Sequence, residues 1–205
     1  MEFDHILKLS REQLYTEASK FKEADEYDNY YIYLTMAANY KHKLAEQYLN
    51  SGYQDDCPLY RQNFSNTVPF YEATKDYSYS SFILGWLYHK GIYFAKDNNL
   101  AKKFYEQSIM KGNEIAYHNM MWVDNENYSH YTRIMMYYLF ETNQEHRIGE
   151  VCGYINEDKI DSIKEIYILK KENDEFKYKN NKLEKEVDQL RKENNELKTH
   201  YKINL

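Results

Sequence analysis

Two groupings in this sequence contain side-chain types that could carry out chemistry. His118, Asp124 and His130 are metal-ligating types, but a spacing of six residues does not put them on one helical face. Glu145, His146 and Cys152 supply a base and a nucleophile type. At i, i+1 and i+7, with no oxyanion-stabilising device nearby, they do not compose a nucleophilic site. Gly149 and Gly153 are too sparse for a loop that cradles phosphate, and neither His-Glu-x-x-His nor Cys-x-x-Cys occurs. The sequence points away from an enzyme, and no catalytic residue, metal site or cofactor is expected.

The patterned residues near the C-terminus carry a different chemistry, that of recognition. With Ile166 at heptad position a, the a positions read Ile166, Asn173, Asn180, Val187, Asn194 and Tyr201. The d positions read Leu169, Phe176, Leu183, Leu190 and Leu197. A seam kept at 3.5-residue spacing over this length imposes a left-handed coiled coil. Asn in an apolar seam is costly unless it meets Asn on the other strand, which requires parallel chains in register. The flanking g residues and the e residues five positions later are opposite in sign: Glu165–Lys170, Glu172–Lys177, Lys179–Glu184, Glu186–Arg191 and Glu193–Lys198. The pattern is self-complementary, so a parallel homodimer is expected, with a trimer or a related chain as the alternatives. Ile160, Ile163 and Tyr167 fall off the seam and read as the start of the same helix packing onto the preceding domain. The coil would then form a stalk of roughly 60 Å.

The elements that carry this seam follow from composition. A chain of 205 residues accommodates one domain plus an extension, and six Gly with two Pro indicate helices joined by short turns. Mean hydropathy is −0.92, yet 24 Tyr supply ample area for a core. No apolar run is long enough to span a membrane, and Met1-Glu2-Phe3-Asp4-His5 lacks a signal-peptide pattern. Cys57 and Cys152 form no disulfide framework, so a reducing, cytoplasmic compartment is expected. Residues 159–205 carry 12 Lys/Arg against 10 Asp/Glu. Residues 1–158 therefore hold 15 of the 27 basic and 23 of the 33 acidic side chains. An acidic domain repels phosphate backbones, which argues against nucleic acid as a partner.

Residues 1–158 show a period near 35. Small residues stand at 37, 73 and 108 and again at 45, 81 and 116. The clearest unit runs Ser81-Phe82-Ile83-Leu84-Gly85-Trp86-Leu87-Tyr88-His89-Lys90-Gly91, then Lys96-Asp97, then Ala101-Lys102-Lys103-Phe104-Tyr105-Glu106, then Lys111-Gly112-Asn113. This stretch resembles the Sel-one-like repeat, a relative of the tetratricopeptide repeat. The residues around Pro58 and Pro69 depart from the pattern and read as a loop or irregular turn. The expected fold is all-α: a short α-solenoid of three or four two-helix repeats over residues 1–158, followed by the coiled-coil helix over 159–205.

The resemblance implies a scaffold or adaptor that holds a protein or peptide in a curved groove, without chemistry of its own. In such solenoids the first helix of each pair lines the concave face. With Leu84, Gly85 and Tyr88 turned to the core, Phe82, Trp86, His89 and Lys90 would face the groove, joined by Tyr117, Met121 and Asp124 of the next unit. The competing reading packs Phe82 and Trp86 against neighbouring helices, the usual place for large aromatics. Abundant Tyr, Asn, Lys and Ile also fit biased coding. In that respect the chain resembles helical-repeat proteins of AT-rich genomes, including those of large DNA viruses.

Overall fold

The structure is a computed structural model that describes residues 3–51, 61–153 and 155–203, with no side-chain description for Ser51, Tyr128 and residues 198–203. The secondary structure of the described residues is all helix and turn, without a strand. Among the described residues, nine α-helices precede the long one: α1 (Arg11–Glu23), α2 (Tyr27–Asn39), α3 (Lys43–Ser51), α4 (Phe64–Ala73), α5 (Ser78–Lys90), α6 (Asn98–Ile109), α7 (Glu114–Val123), α8 (Tyr128–Glu141) and α9 (Ile148–Cys152). The long helix, α10, spans Glu157–Ile203. The chain divides into two compact units, Met1–Gly153 and Tyr154–Leu205.

Side-chain caps start several of these helices. The Ser10 hydroxyl accepts from the Gln13 amide while the Ser10 amide donates to Gln13 Oε1 at 2.9 Å, a reciprocal capping box on α1. Asp97 accepts from the amides of Asn99 and Leu100 at the start of α6, and Asn113 accepts from Ala116 at the start of α7.

Five helix ends share one turn. A residue at positive φ is followed by an amide that reaches back five residues: Glu26 to Phe21, His42 to Ala37, Ile92 to Leu87, Asn113 to Ser108 and Gln144 to Leu139, at 2.8–3.2 Å. This bond satisfies carbonyls that the ending helix leaves open. The left-handed position is Gly at 91 and 112, but Asp25, Lys41 and Asn143 elsewhere. The junction of α4 and α5 is different. Ala73 is exposed, and the buried small position there is Thr74, whose hydroxyl donates to the Phe70 carbonyl at 2.7 Å. The repeat register is thus one residue off at 73, whereas Ala37, Ala45, Ser81, Ser108 and Ala116 are all fully buried.

Hairpins α1–α2, α5–α6 and α7–α8 are packed pairs. Between the first two, α3 packs on α2, and α4 packs on both α2 and α5. Pro69 is not in a loop: it is the sixth residue of α4. Its missing N–H removes one helical hydrogen bond, offset by burial of Thr67, Val68, Phe70 and Tyr71 around it. Pro58 and Cys57 lie outside the described residues.

Helix α5 is the centre of the unit. Every residue from Ser78 to Leu87 is buried, because α5 has α2, α4, α6 and α7 as neighbours. Its crossing with α6 is close: the Ser108 hydroxyl donates to the Ser78 carbonyl at 2.7 Å, and the Ser81 hydroxyl donates to the Phe104 carbonyl at 3.0 Å. A Cβ on Gly85 would stand 2.8 Å from Tyr105 Cδ1 and 3.2 Å from the Ala101 carbonyl oxygen. Tyr105 is fully buried and stacks on Phe82 with ring centroids 5.7 Å apart, so it has nowhere to retreat.

Candidate interaction surfaces

Members of both groupings of reactive types have structural occupations. Asp124 ends α7 and clasps three elements together. It pairs with Lys102 of α6 and accepts from Asn127 Nδ2 at 3.0 Å and from the Tyr131 hydroxyl of α8 at 2.9 Å. The Lys102 ammonium beside it pulls its carboxyl down to about 2. His130 lies 3.9 Å from Glu106, away from that clasp. Among the described residues no group of three or more His, Cys, Asp or Glu side chains is gathered to hold a metal. Burial pushes the Cys152 thiol up to about 11, so it is a protonated, half-buried thiol at neutral pH.

The expected groove residues separate into two sets. Phe82, Trp86 and Tyr117 are 0–2% exposed and belong to the core. The correction has a physical cause: α5 is covered on every side, so the face opposite Leu84 and Gly85 meets other helices instead of solvent. Tyr117 is additionally held through its hydroxyl, 3.1 Å from Thr132 Oγ1. His89 is half-buried, with Nδ1 3.2 Å from the Tyr105 hydroxyl, and burial lowers its pKa. Asp124 is committed to its clasp. Of the seven, Lys90 and Met121 remain exposed.

The exposed apolar face lies one step around α7. Asn113, Ala116, Tyr117 and Met120 are buried at i, i+3, i+4 and i+7. The opposite face then carries His118, Met121 and Trp122, all exposed, with Trp122 at 77%. An indole left this open on a helix is uncommon, and Trp is an effective binding anchor. The 3.6-residue period of the buried set contains this information, which a register anchored on Tyr117 concealed.

The third surface is α10. Every side chain from Ile168 through Leu197 is exposed. On the a/d stripe, Ile166, Leu169, Phe176, Leu183, Leu190 and Leu197 are 50–63% exposed and Val187 is 44% exposed. Asn173, Asn180 and Asn194 complete the stripe, also exposed. The side chain of Tyr201 lies outside the described residues. Ile163 behaves differently, at 6% exposed, with Ile160 and Tyr167 half-buried beside it. No helix among the described residues is long and apolar enough to cross a membrane.

No family model matches this chain, and neither a curated protein nor a solved structure matches it.

Proposed function

We propose that this protein is a non-enzymatic protein–protein interaction scaffold, cytoplasmic and dimerised through α10, which presents two copies of the helical-repeat unit. The observation that carries this reading is α10 itself. An isolated helix exposed on all sides gains nothing from an apolar stripe, and water opposes leaving seven such side chains open. A second strand removes that cost, and the stripe has the a/d spacing that a second strand requires. The resemblance to Sel-one-like repeats in residues 81–113 supports the scaffold assignment for the first unit. Two linked sites raise avidity for a multivalent target without improving either contact.

The partner surface on the repeat unit is best assigned to His118, Met121 and Trp122 of α7, since Phe82, Trp86 and Tyr117 are internal. Burial of those expected anchors also favours a second reading, in which the coil is the working part of a larger assembly and the repeat unit is a spacer. Nucleic acid is the least supported partner, given the acidic balance of residues 1–158. Affinity capture from the native cell with three full-length chains separates the readings: wild type, L183D/L190D and M121A/W122A. A protein retained by the seam variant and lost by the α7 variant supports recognition on the repeat unit. A protein lost only with the seam supports the second reading.

A further inference from the structure

The charges beside the α10 seam are not uniform, and the irregularity has a use. At the g positions Glu165, Glu172, Glu186 and Glu193 are acidic but Lys179 is basic; at the e positions Lys170, Lys177 and Arg191 are basic but Glu184 is acidic. One g–e pair in the middle of the series is therefore inverted. All of these side chains are exposed on one unbroken helix, and the Lys179 ammonium lies 5.8 Å from the centroid of the seam residue Phe176. Same-helix pairs such as Lys177–Asp174 at 3.8 Å and Arg191–Asp188 at 3.5 Å are solvent-exposed and weak, and they leave these groups able to face a second strand.

The consequence appears when two copies are laid side by side. In register, Glu172 faces Lys177, Lys179 faces Glu184 and Glu186 faces Arg191, all attractive. If one copy slips by a heptad, Lys179 faces Arg191 on one side and Lys177 on the other, while Glu184 faces Glu172 and Glu186. Every pair that involves Lys179 or Glu184 becomes like-charged, and the same holds for a slip of two heptads. A uniform series, acidic at every g and basic at every e, would stay attractive at each of these slips. The Asn layers act in the same sense. They are separated by one heptad and then by two, so a one-heptad slip sets Asn180 against Val187 and Ile166 against Asn173. Specificity built by penalising the wrong pairing is what such placement achieves.

We infer that the occupant of the α10 seam is a second copy of this chain, parallel and in register, and that Lys179 facing Glu184 is the pair that excludes slipped partners. This deepens the dimer reading above and rests on it. The test mixes two differently tagged full-length chains, K179E and E184K, and reads the populations by native mass spectrometry after exchange. Each variant alone sets like charges at both copies of the pair; together they restore both. Four pairs change sign between two homodimers and two heterodimers. The heterodimer should therefore exceed statistical mixing by roughly 15-fold to several hundredfold in the exchange constant. The wild-type mass in solution is measured alongside. A monomeric or trimeric wild type overturns both this inference and the dimer reading. A dimeric wild type whose two variants mix statistically overturns the inference alone. Neither substitution touches a core residue, and both replace one helix-favouring side chain by another, so folding of the repeat unit is preserved.

Discussion

Removing two leucines from the α10 seam tests the dimer most directly. In the single chain Leu183 is 56% exposed and Leu190 is 63% exposed. Burying a fully exposed Leu is worth about 1.5–3 kcal/mol, so each of these, open over just more than half its surface, contributes about 1–1.5 kcal/mol on pairing. Two adjacent d layers contain four such leucines in the dimer. The variant L183A/L190A thus loses about 4–6 kcal/mol of association free energy, a rise in Kd of roughly 10³–10⁴-fold. Alanine is the stronger helix former, so the unpaired helix itself is not weakened. Sedimentation equilibrium on the full-length protein gives Kd, and far-UV circular dichroism at high dilution checks helix content. K185A, on the outer face of the same helix, serves as the control and leaves Kd unchanged within about threefold. A Kd that moves less than tenfold in the double variant, or as much in the control, refutes the claim that these leucines meet across an interface.

Four further outcomes follow from the repeat unit. G85A forces a methyl against the fully buried Tyr105 ring and lowers stability by about 1–3 kcal/mol, read as a fall in Tm by thermal denaturation. K41G relieves a left-handed backbone position occupied by Lys and raises stability by a few tenths to about 1 kcal/mol in chemical denaturation. D124N breaks the clasp with Lys102 and costs about 1–2 kcal/mol at pH 7. The Asp124 carboxyl has its pKa depressed from 3.8 to about 2, so its contribution is complete above about pH 4 and disappears as pH falls through 2. Wild type and D124N should therefore converge in stability over that window. W122A leaves Tm unchanged within about 1–2 °C, since the indole is 77% exposed; a large fall in Tm would count against its role as a free surface.

What could be read in the sequence depended on contrast. Along α10 the apolar stripe alternates with charge for thirty residues, so its period and its flanking signs are visible without coordinates. The repeat unit was legible where small residues mark close crossings, as at Ala37, Ala45, Ser108 and Ala116. It fails at Ala73, where the α4–α5 junction lacks the left-handed turn found at residues 25, 41, 91, 112 and 143 and moves the small position to Thr74. Helix α5 hid its orientation for the opposite reason. A helix buried from Ser78 to Leu87 has no polar face, so its sequence holds no period from which to tell core from groove. Phe82 and Trp86 were therefore ambiguous, and only the packing of α2, α4, α6 and α7 around them decides it. The turns at Asp25, Lys41 and Asn143 are hard to read from sequence because none carries the glycine that announces such a conformation.

The position of α5 also changes what kind of object the repeat unit is. Solenoids with contacts confined to successive repeats unfold piecemeal, and evolution lengthens or shortens them by whole units. Here α5 is packed between α2 and α4 on the earlier side and α6 and α7 on the later side, so withdrawing its repeat would expose apolar surface on both neighbours. That coupling predicts a single concerted melting transition, with equal calorimetric and van't Hoff enthalpies.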